Sequence, residues 1–215
     1  MIEELARYIL ERAGNKRLIV GVNGKDGSGK TYMADQLANT LHGMTERHII
    51  RVSIDDFFNP RSVRKRNLDQ ARGCYEDTFN IRAFRQYALE PLSPDGNGRY
   101  RSKSFDYYTD SIKLSTEQTA ADNAITIIDG VYLFRDDTRS FFDIKVLIEV
   151  DKELCIQRGV QRDMADMGGY EIALEKYQNR YMPSQDIYFK EVNPVQYADV
   201  IIDNNDLAHQ VVRFL

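Results

Sequence analysis

Cysteine is scarce in this chain of 215 residues: Cys74 and Cys155 are the only two, and they form neither a C-x-x-C pair nor any metal-binding spacing. That excludes a disulfide-framed fold and a thiolate metal site, and it predicts reduced thiols in a cytoplasmic protein. Charge of one sign is not in large excess either, since 29 Lys and Arg face 33 Asp and Glu for a net charge of −4. General affinity for nucleic acid or an anionic membrane surface is therefore not expected. No apolar run approaches the length of a membrane span, and Met1-Ile2-Glu3-Glu4-Leu5-Ala6-Arg7 lacks both the basic and the apolar parts of a targeting peptide. The expectation is a soluble, intracellular protein, with self-association left open. Repeats and low-complexity segments are absent, and a hydrophobic content of 42% is enough for a sizeable core. The simplest organisation is one α/β domain over residues 1–215.

Against those absences stands Gly24-Lys25-Asp26-Gly27-Ser28-Gly29-Lys30-Thr31, which satisfies G-x-x-x-x-G-K-[ST] at every fixed position. Its flanks are the required ones. Arg17-Leu18-Ile19-Val20-Gly21-Val22-Asn23 reads as a buried strand, and Met33, Leu37, Ala38 and Leu41 recur at helical spacing after the motif. Glycines let successive N–H groups turn inward around an anion, and the helix start adds its positive dipole end. The motif predicts a nucleoside triphosphate site, with Lys30 on the β and γ oxygens and Thr31 ligating Mg²⁺.

Four further β-branched runs, at residues 48–54, 124–129, 144–150 and 198–203, predict strands covered on both faces, as in a parallel sheet. Helical periodicity predicts helices over residues 2–13, from Phe79 to Ala88, over about 152–164 and over about 170–181, with a short closing helix over about 206–215. Alternation of this kind describes a P-loop fold with about five parallel strands and helices on both faces. Residues 91–115, rich in Pro, Gly and aromatics, read as a loop or hairpin over the site.

Ligands of such sheets gather at the carboxyl ends of the strands, where this sequence puts Asp55, Asp56 and Asp129. Asp129 suits a partner for Mg²⁺, and one of Asp55 and Asp56 suits a proton acceptor; spacing does not choose between them. Helix capping is the ordinary alternative use of such residues. The basic run Arg61-Ser62-Val63-Arg64-Lys65-Arg66 has no interleaved aromatics and reads as a solvated loop. Arg158 and Arg162, four apart, share a helix face that suits either phosphates or plain solvent.

Together these segments resemble the uridine kinase and phosphoribulokinase family of P-loop kinases, most nearly its uridine kinase-like branch. The resemblance runs from about residue 17 to 205, through the loop at 24–31, Ser53-Ile54-Asp55-Asp56-Phe57-Phe58, Asp77-Thr78-Phe79-Asn80, Phe105-Asp106-Tyr107, Ile128-Asp129-Gly130-Val131, Arg158 to Asp163 and Tyr197 to Ile202. It implies that the whole loop from Gly24 through Lys25, Asp26, Gly27, Ser28, Gly29 and Lys30 to Thr31 binds the nucleotide. It implies Asp55 rather than Asp56 as the catalytic base, and Thr31 with Asp129 as the metal-binding pair. Arg158 and Arg162 become catalytic residues of a mobile lid over about 158–170, and Asp55, Phe58, Tyr75, Phe105 and Tyr107 become acceptor-side contacts. The implied reaction moves the γ-phosphoryl group of ATP, with Mg²⁺, to a hydroxyl of a small metabolite. The family's nucleoside-reading positions are not matched: Gly73-Cys74-Tyr75-Glu76 stands where an Asp holds the ribose hydroxyls, and Asp110 where a His reads the pyrimidine. A nucleoside is the family's usual acceptor; other ribosides, pantothenate-like alcohols and sugar phosphates are the alternatives, and a nucleotide-hydrolysing switch protein is the alternative from another class.

Overall fold

Buried apolar runs and the helices between them fix the architecture, which a computed structural model describes for residues 1–215. Helix α1 (Ile2–Arg12) leads into β1 (Leu18–Gly24), the glycine loop and α2 (Lys30–Met44). Strand β2 (Ile49–Ser53) ends in a 3-10 turn at Ile54–Asp56, followed by α3 (Arg61–Arg64) and α4 (Gln70–Asp77). Next, α5 (Ile81–Phe84) passes through a π turn at Arg85–Leu89 into α6 (Glu90–Leu92). Short strands β3 (Arg99–Tyr100), β4 (Phe105–Asp106), β5 (Ser111–Ile112) and β6 (Gln118–Thr119) precede β7 (Ile125–Gly130) and β8 (Ile144–Glu149). The remainder is α7 (Lys152–Met167), α8 (Tyr170–Lys176), a π turn at Tyr177–Tyr181, α9 (Met182–Val192), β9 (Val200–Asp203) and β10 (Val211–Phe214).

The main sheet runs in the order β10-β9-β8-β1-β7-β2, parallel except for β10. Register places Val22 and Ser53 on either side of Asp129, so β7 carries its acid between the glycine loop and the turn bearing Asp55. Successive residues point to opposite faces. Val20, Val22, Ile127 and Val146 therefore join α1, α2 and α7 in one core, while Ile19, Val52 and Ile128 join Phe84, Tyr132 and Tyr188 in the other. Gly21 makes room for aromatics on that second face, because a Cβ there would lie 2.7 Å from the Phe142 ring.

The closing helix expected over 206–215 is not formed. Residues 211–214 make an antiparallel edge strand on β9, with Val212 and Phe214 turned to the core and Val211 and Arg213 to solvent. Alternation of period two decides this, and Asp206 is spent on a turn, accepting from Ala208 N at 2.8 Å. The predicted helix at 170–181 continues through its π turn to Val192, with Pro183 tolerated near the start of α9. Helix α4 had no clear apolar stripe and escaped the sequence reading. The segment expected as a loop or hairpin over 91–115 begins with the end of α6 and then forms nested antiparallel ladders over residues 99–119, β3 with β6 and β4 with β5.

Candidate active site

The glycine loop is held open by its own geometry. Gly27 and Gly29 have φ of 79° and 91°, which side chains disfavour. A Cβ on Gly27 would lie 2.1 Å from the Cys155 carbonyl oxygen, and one on Gly29 2.7 Å from Asn204 Nδ2. Helix α2 begins at Lys30, immediately after the left-handed Gly29. Lys30 is almost buried and reaches back over the loop, donating to Lys25 O at 3.0 Å and lying 3.7 Å from Asp26 Oδ1. Inside the loop the Ser28 hydroxyl is buried without a partner. A glycine cradle, an orphaned hydroxyl and an ammonium with spare protons fit a bound polyphosphate.

Thr31 donates to Asp129 Oδ2 at 2.7 Å, and Arg51 donates to the other oxygen, Oδ1, at 3.0 Å. Arg51 also donates to Asp35 of α2 at 3.0 Å, so Asp129 is fixed at both oxygens while almost fully buried. No cluster of three or more His, Cys, Asp or Glu side chains is arranged to cage a metal. That suits Mg²⁺, which takes few protein ligands and completes its shell with phosphates and water. Thr31 and Asp129 are the residues that could hold it.

The two aspartates after β2 have separate fates. Asp56 pairs with Lys103 at 3.1 Å and accepts from Ser104 N through its carbonyl at 3.0 Å, which anchors the hairpin segment. Asp55 has no cation within bonding distance. Its carboxylate is open to the cleft, yet protein packs deeply around it. Loss of bulk water raises its pKa first, and Asp26 adds to this; Lys30 opposes, Asp129 raises it again and Arg162 lowers it, leaving a value of about 7. Such a carboxylate can exchange a proton near neutral pH.

The two arginines of α7 also diverge. Arg162 is held by Asp163 at 2.6 and 2.9 Å and by the Tyr177 hydroxyl at 3.2 Å, and the Asp163 bonds keep its pKa raised. Tyr177 in turn donates to Asp163 at 2.7 Å and packs on Gly159, where a Cβ would lie 2.3 Å from the ring. Arg162 acts electrostatically on both Asp26 and Asp55, so it is the one of the pair that could serve a site there. Arg158 does not join it: both of its amino groups donate to the backbone, to Asn204 O at 2.9 Å and Asn205 O at 2.8 Å. Its guanidinium clamps the segment whose Asn204 Nδ2 donates to Ser28 O at 2.7 Å, bracing the glycine loop from behind.

On the acceptor side, Phe58 stacks with Phe79 and Tyr107, ring centroids 5.1 and 4.9 Å away. Phe105 is buried beneath β4 and faces a cavity of about 270 Å³ with Phe58, Ala83 and Tyr87 rather than the loop. Tyr75 is likewise buried, its ring against Tyr132 and Tyr188. The basic run is solvated at Arg61, Ser62, Lys65 and Arg66, as its composition suggested, but its first four residues form α3 rather than a loop and Arg64 is drawn inward. From α3, Arg64 lies 4.5 Å over the Tyr107 ring and pairs with Asp110 at 3.0 Å, while Arg66 pairs with the buried Asp77. The Tyr107 ring face and Asp110, both from a distant segment, remove the Arg64 guanidinium from solvent, whereas Arg66 stays exposed beside its acid.

Residues 19–208 match the family model described as the phosphoribulokinase/uridine kinase family. The chain belongs to that family. Its members are phosphotransferases acting on a hydroxyl acceptor, and the fold is that of a P-loop kinase. Among curated relatives, the uridine kinase of Limosilactobacillus reuteri is 29% identical over 87% of this chain and 84% of its own. That of Ligilactobacillus salivarius is 24% identical over 87% and 85%. A solved structure from Bacillus stearothermophilus, described as a possible uridine kinase, superposes with a TM-score of 0.73, 24% identity and coverage of 93% and 96%. The D-glycerate 3-kinase of Cryptococcus neoformans shares the fold at TM-score 0.69 and 15% identity, over 100% and 99% of the two chains.

Several residues of this family site escaped the sequence reading. Gln185 of α9 grips the loop twice, accepting from Asp26 N at 3.0 Å and donating to Asp26 Oδ2 at 2.9 Å. Arg51, Asn204 and Tyr177 complete the set. Only Arg51 left a trace, as a charge inside the apolar run Ile49-Ile50-Arg51-Val52.

Proposed function

We propose that the protein transfers the γ-phosphoryl group of ATP to a hydroxyl of a small metabolite, with Asp55 as the proton acceptor. One observation carries this reading: an unpaired carboxylate, its pKa raised to about 7, stands in the turn after β2, one strand removed from the glycine loop and acted on by that loop's Asp26 and Lys30. The loop amides and Lys30 hold the phosphates, while Thr31 and Asp129 hold Mg²⁺, which when bound offsets charge on the phosphate oxygens. Asp55 takes the proton of the acceptor hydroxyl. The acceptor oxygen then bonds to the γ phosphorus as the bond to the bridging β–γ oxygen breaks, and ADP leaves. Arg162, preset by Asp163 and Tyr177, faces the charge that spreads over the transferring group.

Uridine is the acceptor that names several relatives. One feature favours a different alcohol. Where the resemblance expects a ribose-holding carboxylate stands Cys74, buried with its Sγ 4.0 Å from the Tyr132 hydroxyl, and the nearby Glu76 pairs with Arg72 at 3.4 Å. A hydroxyl left without its polar partner weakens recognition by orders of magnitude. Incubation with Mg·ATP and a panel of alcohols including uridine and cytidine, read as the gain of one phosphoryl mass, tests the proposal. Phosphorylation of any panel alcohol, lost in Asp55→Asn, supports it; ATP hydrolysis indifferent to every alcohol contradicts it.

A further inference from the structure

Arg180 stands apart: among the partly buried arginines it alone has neither a hydrogen bond nor an ion pair, whereas Arg85, whose Nε is likewise enclosed without an acceptor, pairs with Glu90 at 3.1 Å. Every other arginine that is at least partly buried donates to a carboxylate, a carbonyl or both, as Arg17, Arg47, Arg51, Arg64, Arg135 and Arg158 do. Arg180 is partly buried, its Nε is wholly enclosed without an acceptor, and no carboxylate lies within 4.0 Å of it. An enclosed guanidinium nitrogen left unbonded costs stability, so such an arrangement persists where an incoming group supplies the acceptor.

Its position points the same way. Arg180 lies in the π turn Tyr177–Tyr181, a geometry that costs a regular helix hydrogen bond and recurs at functional sites. The turn sits between α4, which carries Tyr75, and α7, which carries Arg162. The Arg180 guanidinium lies 5.8 Å over the ring of Tyr181. That ring packs on Tyr177, centroids 5.2 Å apart, whose hydroxyl bonds Asp163 and Arg162, and the Tyr181 carbonyl accepts from Ser184, which also bonds the hydroxyl of Tyr132 against Tyr75; the turn therefore stands between Arg162 and the acceptor-side aromatics. The second guanidinium at this end, Arg64, is already neutralised by Asp110 at 3.0 Å and bonded to Asn59 O at 2.8 Å. Among the partly buried guanidiniums Arg180 alone is left unpaired to meet a ligand; Arg82, also unpaired, is exposed at the cavity lined by Phe58 and Phe105.

We propose that the acceptor carries an oxyanion, a carboxylate or a phosphate ester, and that Arg180 binds it and selects for it. The inference rests on the kinase reading for the word acceptor, but the site itself requires only a small anionic alcohol. A planar guanidinium suits both anions, because its paired N–H groups match two oxygens at once.

The test uses the full chain, loaded with Mg²⁺ and a non-hydrolysable ATP analogue, and calorimetric titration with matched probes. Glycerate is paired with glycerol, gluconate with glucitol, and ribose 5-phosphate with ribose; uridine is the neutral nucleoside. At least one acid should bind more tightly than its neutral partner, and Arg180→Gln should weaken that acid by roughly ten- to a hundred-fold. Arg180→Lys, which keeps the charge, should recover part of the loss, and unchanged melting curves for both variants show that the fold is intact. Preference for a carboxylate or for a phosphate ester tells the two anions apart. Tighter binding of the neutral partners, equal binding of the acid by Arg180→Gln, or no acid binding up to about 10 mM overturns the proposal. The kinase reading is judged separately, by whether the nucleotide binds and whether any probe gains a phosphoryl group from ATP.

Discussion

Thr31 and Asp129, 98 positions apart in sequence, share a hydrogen bond of 2.7 Å at the point where α2 leaves the glycine loop. The bond exists because β1 and β7 are neighbours in register, Val22 opposite Asp129. With Arg51 on its other oxygen, Asp129 cannot swing away, so the Thr31 hydroxyl is presented in one orientation. Asp129→Asn should therefore raise the Mg²⁺ concentration needed for half-maximal activity, by roughly ten- to a hundred-fold. A titration of turnover against Mg²⁺ checks this; an unchanged midpoint would remove Asp129 from the metal site.

The pKa of Asp55 near 7 gives a pH signature. Because the base must be ionised, kcat/KM for the acceptor should rise with pH, level off above about 7, and lose that limb in Asp55→Asn while Mg·ATP binding remains. Turnover should fall by about 10² to 10⁴. A flat profile in the unaltered protein would count against Asp55 as the base.

The same shift has a consequence for stability. An acid whose pKa is raised on folding binds more protons folded than unfolded, so its contribution is complete below its ordinary value of 3.8 and is lost as pH rises through about 7. Asp55→Asn should gain in melting temperature over the unaltered protein as pH is raised from about 5 to about 8, by a few degrees. Thermal melts at the two pH values decide; equal differences at both would mean that Asp55 is not shifted.

Arg158 and Arg162 should fail in different ways. Arg158→Gln frees Asn204 and Asn205 and should raise the KM for ATP and lower the melting temperature, since its bonds brace the loop. Arg162→Gln should leave the melting temperature nearly unchanged and cut kcat by about 10² to 10³, the cost of one missing charge-stabilising donor. Matching kinetic defects in the two variants would contradict the division.

Gly27→Ala tests the cradle itself. The new methyl would meet the Cys155 carbonyl at 2.1 Å on a backbone with φ of 79°, so the loop must move. Loss of nucleotide binding and about 1–3 kcal/mol of stability are expected, measured by calorimetry and denaturant unfolding. Normal affinity would show that the loop tolerates the displacement.

The core of this design was written locally. The five parallel strands are runs of Val and Ile, and the glycine motif names its own chemistry, so periodicity and spacing found both. The acids at strand ends followed from the topology rule. What stayed hidden depends on contacts between distant segments: Gln185 reaches Asp26 from 159 positions away and Asn204 reaches Ser28 O from 176. Arg158 and Arg162 look equivalent on a helix face, and only the placement of residues 204–205 and of Tyr177 separates them. The edge strand at 211–214 is not legible as a strand because its alternation spans only four residues and its pairing with β9 is what makes it visible.

Titration of the purified chain with Mg·ATP is the most direct measurement. Saturable heat with a dissociation constant in the range of about 1 µM to 1 mM is expected, and its disappearance in Lys30→Ala. An absence of heat with Mg·ATP and Mg·GTP alike, from a folded protein, would contradict the assignment of residues 24–31 as a triphosphate cradle.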